Sequence, residues 1–212
     1  GHLKDITLRA LEILKSADFV AAEDTRHTGQ LLKHYEIKTA LISFHDHSGP
    51  GRLKEIITSL KEGKNVALVS DSGTPLISDP GFPLVREAVR EGIRVEAVPG
   101  PSAVITALAA GGLPTERFTF WGFLPHKPGP RKKELAEAAL LEHTLVFFES
   151  PFRTAAVLKE MAEILGEREA VVGRELTKKF EEFVRGTLLE LAEKFGKGKI
   201  LGEIVILVAG KG

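Results

Sequence analysis

The chain contains no cysteine. Disulfides and thiolate metal sites are therefore excluded, and the composition fits a reducing cytoplasm. No apolar run approaches the ~18–20 residues of a membrane-spanning helix. No basic segment leads into an apolar one, so no signal peptide is read. A net charge is also missing, since 29 basic residues face 29 acidic ones. A nucleic-acid partner would have to be met by a local basic patch, because the whole-molecule field will not attract it. Three common signatures are absent as well. Without G-x-x-x-x-G-K-[ST], G-x-G-x-x-G after a strand, or G-x-S-x-G, neither a P-loop, an ordinary dinucleotide site nor a nucleophile elbow is supported. The sequence begins at Gly1, without an initiating Met.

What is present is a regular alternation. At 212 residues with 43% apolar content, the chain can build one large domain or two of about 100 residues each. Phe19–Ala22, Ala40–Phe44, Asn65–Val69 and Arg94–Val98 read as strands. Asp5–Ser16, Gly51–Glu62, Gly81–Glu91 and Pro101–Ala110 read as helices, with Leu53, Ile56, Ile57 and Leu60 forming one apolar stripe. Apolar strands alternating with helices predict an α/β fold with a mostly parallel first sheet. The stretch "AAGGLPTERF", Ala109 to Phe118, predicts a linker between an N-terminal α/β domain, 1–112, and a C-terminal one, 113–212. Beyond it, Phe118–Phe123, Thr144–Phe148, Ala170–Arg174, Glu182–Gly186 and Ile204–Val208 read as strands. The close pair near 170–186 leaves no room for a helix, so the second sheet is expected to be mixed. Ser150–Pro151 suits a helix start, Gly166 a stop, and "TLLE", Thr187 to Glu190, a capping box.

Ligands of open α/β sheets bind at the carboxyl ends of strands. The loop "VSDSGTPLISDPG", Val69 to Gly81, follows one strand and packs Asp71, Ser72, Gly73, Thr74, Pro75 and Ser78 together. Gly73 allows close backbone approach, and Asp79 suits the cap of the next helix. In "VPGPSAV", Val98 to Val104, Gly100 at the cap and Pro101 at the first helical position would leave the N–H groups of Ser102 and Ala103 free for an acceptor. "FFESPFR", Phe147 to Arg153, sets Glu149 at a strand end and Arg153 in a helix first turn, where a cation is mildly disfavoured. "AEDTRHT", Ala22 to Thr28, brings Glu23, Asp24, Arg26 and His27 to another strand end, as a functional loop or an ion-paired cap. "FHDHS", Phe44 to Ser48, offers His45 and His47 on one side, but no third ligand stands at a telling spacing, so no metal is assigned.

Taken together, "AEDTRHTGQLL", "SFHDHS", "ALVSDSGTPLISDPG", "VPGPSAVITALAAGGLPTERFTFWGFLPHK", "FFESPFR" and "RELTKKFEEFVRGTL" resemble the bacterial ribosomal RNA ribose methyltransferases of the tetrapyrrole-methylase-like class, which use S-adenosylmethionine (SAM). The resemblance runs nearly the whole chain. It implies two α/β domains, usually in a homodimer, with SAM in the cleft between domains. It also implies methyl transfer to the ribose 2′-hydroxyl of a cytidine in the decoding region of 16S rRNA. On this likeness Asp71, Gly73, Thr74, Pro75, Ser78, Ser102 and Ala103 contact the cofactor, with Phe148, Leu176 and Gly202 from the second half. Two departures stand out. The resemblance implies a preceding strand and loop, of which "GHLKDIT" is only the tail. It also implies a histidine where this chain has Phe152.

A ribose hydroxyl is a poor nucleophile until its proton is taken. The candidate bases are Glu149, Asp24 and Glu175, with Asp71 a further one. Arg26, Arg153, Arg174, Lys178 and Lys179 are candidates for phosphate contacts, as are Lys127, Arg131, Lys132 and Lys133 of "HKPGPRKK", with small-subunit rRNA or the assembled subunit as partner. Two rival readings remain. A tetrapyrrole methyltransferase would share fold and cofactor, although a macrocycle pocket calls for more aromatics than the 7% present. A non-catalytic ribosome-binding factor would not bind SAM.

Overall fold

The computed structural model describes residues 2–198 and 200–212; Gly1 and Lys199 lie outside the described residues. The chain forms two compact units, Gly1–Pro101 and Ser102–Gly212.

The first unit opens with a 3-10 turn, Leu3–Asp5, then α1 (Leu8–Ser16), β1 (Phe19–Ala22), α2 (Thr25–His34), β2 (Ala40–Ser43), α3 (Pro50–Lys61), β3 (Val66–Val69) and α4 (Phe82–Arg90). Its three strands pair in parallel in the order β2-β1-β3. Successive side chains of a strand point to opposite faces, so the central strand must be apolar on both. Accordingly Val20 packs with Leu14 and Leu32, whereas Ala21 packs with Ile56, Ile57 and Leu84.

The expected strand over Arg94–Val98 is not formed. The segment has no regular structure and is mostly exposed, without a ladder. Its polar groups are met by side chains instead. Arg9 bonds Glu96 at 3.1 Å and the Ala97 carbonyl at 3.3 Å, and Thr7 donates to the Pro99 carbonyl at 3.3 Å.

The second unit comprises α5 (Ala103–Gly111), β4 (Phe118–Phe123), α6 (Pro128–Ala138), β5 (Thr144–Glu149), α7 (Thr154–Leu165), β6 (Glu169–Arg174), β7 (Glu182–Thr187), α8 (Leu188–Phe195) and β8 (Ile204–Val208). The sheet order is β4-β5-β8-β6-β7, with β4 and β5 parallel and the remaining pairs antiparallel. It is mixed, as expected. Leu145 and Phe147 face α7 and α8, while Val146, Val171, Val205 and Leu207 face α5. The helix read as the end of the first half therefore belongs to the second unit, because its apolar side is buried there. The boundary falls after Pro101 rather than in the Gly111–Gly112 stretch.

Gly111 permits the close packing of α5, since a Cβ there would overlap Leu207 Cδ1. Gly111→Ala is expected to lower stability by about 1–3 kcal/mol, the usual cost of overpacking, readable by urea titration. No change would mean that the Leu207 side chain yields freely.

Several helix starts shift from expectation, α1 from Asp5 to Leu8 among them. Helix α7 begins at Thr154, not at Ser150, although Ser150 does accept from the N–H groups of Arg153 and Thr154. Gly81, at φ 127°, precedes α4 in place of Asp79. The capping box Thr187–Glu190 and the Gly166 stop are formed as read.

Candidate functional site

The carboxyl ends of β1, β2 and β3 gather three of the singled-out loops at one edge of the first unit. Two are tied to each other. Asp24 donates its backbone N–H to Asp71 Oδ1 at 3.2 Å, and the Asp71 N–H donates to Glu23 Oε2 at 3.2 Å. Glu23, read in the sequence as part of the same strand-end loop, thus takes the Asp71 N–H.

Asp24 caps α2, and its carboxylate accepts from the Arg26 N–H at 2.8 Å, Nε at 3.1 Å and Nη2 at 2.6 Å. The Arg26 side chain, then its backbone N–H, holds the Asp24 carboxyl far below the usual carboxylate range. The loop thus forms the ion-paired cap, with the Arg26 side chain 88% exposed.

The loop after β3 is the most strained part of the unit. Within nine residues, Gly73 (φ 72°), Leu76 (φ 73°), Ser78 (φ 62°) and Gly81 (φ 127°) all take positive φ. For Leu and Ser that conformation costs roughly 1–2 kcal/mol each, and such strain concentrates at ligand sites. Thr74 fixes the loop by donating its hydroxyl to the Pro101 carbonyl at 3.1 Å. At Gly73 nothing lies within 4 Å of a built Cβ. The backbone there is bare and exposed, beside the half-buried Asp71, Ser72, Thr74 and Pro75 and the exposed Ser78. This fits a cofactor that approaches the main chain closely and meets several hydroxyls.

The next helix starts two residues later than expected. Ser102, not Gly100, is the cap of α5, accepting from the Ile105 N–H at 3.4 Å. Ala103 is the first helical residue, and its N–H and that of Val104 precede the first turn's own hydrogen bonds.

In the second unit the "FFESPFR" loop folds on itself. Glu149 is 3% exposed. Its Oε1 accepts from the Ser150 N–H at 2.6 Å and Arg153 Nε at 2.9 Å, and its Oε2 from Arg153 Nη2 at 2.7 Å. Arg153 also donates to the Leu124 carbonyl at 3.0 Å. The cation at a helix start is thus balanced by a buried bidentate carboxylate. This geometry leaves neither Glu149 open to a ribose proton nor Arg153 open to a phosphate.

Glu175, at φ 50°, starts the loop after β6. Its Oε1 accepts from the Glu203 N–H at 3.0 Å and Lys178 Nζ at 2.9 Å; the Glu203 bond, then the lysine, holds its carboxyl below the ordinary glutamate value. Lys178 bonds Glu203 as well, at 3.1 Å. Burial works against the Lys178 charge, yet the two carboxylates together raise its pKa above the usual lysine value. Gly202 is required here, because a Cβ would stand 2.6 Å from Glu175 Cδ. Leu176 and Phe148 are half-buried against the α5-facing core. Glu175 and Lys178 therefore act first on each other.

The basic segment divides. Lys127, Lys132 and Lys133 are exposed at the start of α6. Arg131 is turned inward. It bonds Glu160 of α7 and donates to the carbonyls of Pro125 at 3.2 Å and His126 at 2.8 Å, which removes it from the expected phosphate contacts. Glu160 was missed by sequence reasoning, although it lies on the buried face of α7 between Leu158 and Met161. Among the described residues, no three His, Cys, Asp or Glu side chains gather as a metal cluster. No described helix is long and apolar enough to cross a membrane.

Residues 1–192 match the family of tetrapyrrole (corrin/porphyrin) methylases. The chain belongs to that family. Its fold, a parallel three-stranded sheet and a mixed five-stranded one, is the tetrapyrrole methylase fold. Among curated relatives, "Ribosomal RNA small subunit methyltransferase I" of Thermotoga maritima is 49% identical over 212 residues, covering 100% of this chain and 95% of the relative. The protein of the same name from Halalkalibacterium halodurans is also 49% identical, with 100% and 73% covered. Among solved structures, a cobalt precorrin-4 methyltransferase aligns with a TM-score of 0.74 at 23% identity, covering 99% of this chain and 90% of that one. A Thermus thermophilus uroporphyrin-III C-methyltransferase complexed with S-adenosyl homocysteine aligns at 0.64 and 22%, covering 97% and 91%. At these identities the structural likeness is one of fold.

Proposed function

We propose that this chain is a SAM-dependent methyltransferase acting on the ribose 2′-hydroxyl of a cytidine in the decoding region of small-subunit rRNA, in the cytoplasm and as a homodimer. The observation that carries the reading is the strained, bare-backboned loop over residues 70–81 at the carboxyl end of a parallel sheet. Relatives named as rRNA small subunit methyltransferases at 49% identity over the whole chain support the substrate class.

SAM, when bound, supplies a methyl group on a sulfonium, ready for in-line displacement. In this reading Gly73 leaves room for close approach, Asp71, Thr74, Pro75 and Ser78 line the loop, and Ser102 and Ala103 offer a helix start. Phe148, Leu176 and Gly202 are further cofactor contacts. Glu149 and Glu175 position the loops after β5 and β6, rather than taking a proton. The chain's task toward RNA is to orient one ribose and neutralise phosphates, for which Lys127, Lys132 and Lys133 are free.

The test joins titration calorimetry with SAM to transfer of labelled methyl onto small-subunit RNA. SAM binding at one site per chain and label on a ribose are expected; no SAM binding refutes the reading. Charge reversal of Lys132 and Lys133 together is expected to leave SAM affinity unchanged and flatten the salt dependence of RNA binding by roughly 0.7 per lost contact. An unchanged slope would make these lysines ordinary surface. Sedimentation of the purified chain tests the homodimer.

A further inference from the structure

The ends of β4 and β5 carry aromatic surface that the reading above does not use. Phe123, the last residue of β4, is 58% exposed, and Phe152, three residues beyond β5, is 79% exposed. Phe123 pairs in register with Phe148 of β5. The two rings pack 5.5 Å apart at 59°, and Phe148 in turn packs against Phe120 at 4.9 Å. Phe123 is thus braced from behind while more than half of it faces out. Phe152 is braced through its backbone, its N–H bonding Ser150 Oγ at 3.4 Å. One interaction ties the two positions together. Arg153, next to Phe152, donates to the carbonyl of Leu124, next to Phe123, at 3.0 Å. The inward pairing of Glu149 with Arg153 therefore holds two outward rings at adjacent strand ends.

Cations follow Phe123 along the chain. The chain leaving Phe123 runs into exposed His126 and Lys127, and α6 presents Lys132 and Lys133. Arg131 fixes that loop through the carbonyls of Pro125 and His126. Rigid exposed aromatic faces beside lysines are the chemistry of single-stranded nucleic-acid binding, in which bases stack and phosphates meet cations.

We propose that Phe123 and Phe152 form a stacking platform for an unpaired RNA base, with Lys127 holding the adjoining phosphate. The inference rests on the rRNA reading and adds the form of RNA taken: single-stranded at the contact, with a base splayed onto the rings. A second copy of this chain is the other occupant such a surface would suit. The exposed cations that follow Phe123 along the chain favour RNA.

The test measures anisotropy of a labelled, unstructured oligouridine containing one cytidine, against a duplex of equal length, with the full chain. Tighter binding of the single strand is expected. Phe152→Ala and Phe152→Leu should each weaken it about tenfold, and Phe152→Trp should keep it, since stacking needs the ring and not only apolar area. Phe123→Ala should act in the same direction. SAM affinity by calorimetry should not move in the Phe152 variants. If Phe152→Leu binds as the parent does, or the parent prefers the duplex, the platform is overturned. Sedimentation separates the other occupant: variants that dissociate a dimer while binding the oligonucleotide normally would assign the rings to the copy. Ribose methylation of small-subunit RNA by the parent keeps the two readings apart. If it occurs while the Phe variants behave as the parent, only the platform fails.

Discussion

Glu149→Ala is expected to lower the thermal midpoint by about 10 °C, corresponding to a loss of roughly 3–5 kcal/mol. The glutamate side chain is 1% exposed and its partner's 19%. Removing the carboxylate strands a guanidinium whose Nη1 is already buried without a hydrogen-bond partner. The remaining tie, to the Leu124 carbonyl, does not neutralise it. Glu149→Leu combined with Arg153→Met should recover most of the loss, because an apolar pair of similar volume needs no desolvation of charge. This pattern separates positioning from proton transfer. A general base would show a single-turnover rate of Glu149→Gln reduced by roughly 10²–10⁴ with an unchanged midpoint. The geometry predicts the reverse: a lowered midpoint, SAM bound, and near-normal turnover below it.

The second large effect is on cofactor affinity. Gly73→Val is expected to weaken SAM binding by about a hundredfold or more, while costing the fold only the roughly 1–2 kcal/mol of a left-handed β-branched residue. Gly73 has φ 72° and no neighbour within 4 Å of a built Cβ, so the protein itself has space for the side chain. The turn glycine before β3 supplies the control. Gly63 has φ 87° and equally open surroundings, but precedes the strand rather than following it. Gly63→Val should strain the backbone to a similar degree and leave SAM affinity as it was. Equal SAM affinity in parent and Gly73→Val would remove the 70–81 loop from the cofactor site. Equal loss in both variants would trace the effect to stability.

Much of this fold was legible because its strands are short apolar runs closed by polar loops. Phe19–Ala22, Phe118–Phe123 and Ile204–Val208 match their expected bounds. The capping box at Thr187 and the stop at Gly166 were readable for the same reason, since their geometry depends on residues within one turn. The sequence misled where the deciding partner is far along the chain. Arg131 looks like one more surface cation until Glu160, 29 residues away, turns it inward. Arg94–Val98 looks like a strand until Arg9 takes its carboxylate and a carbonyl. The strain at Leu76, Ser78, Glu175 and Thr177 carries no sequence mark, because none is a glycine. The loops around them were nonetheless found from the crowding of hydroxyls, carboxylates and prolines at strand ends.

The measurement that bears most directly on the account is the position of the methyl group. Small-subunit particles are incubated with the chain and methyl-labelled SAM, the RNA is digested to nucleosides, and the labelled product is identified by mass spectrometry. The account predicts a single labelled nucleoside, 2′-O-methylcytidine, whose label on cleavage of the glycosidic bond stays with the ribose. Label on a base, or transfer to a tetrapyrrole with none to RNA, would contradict it.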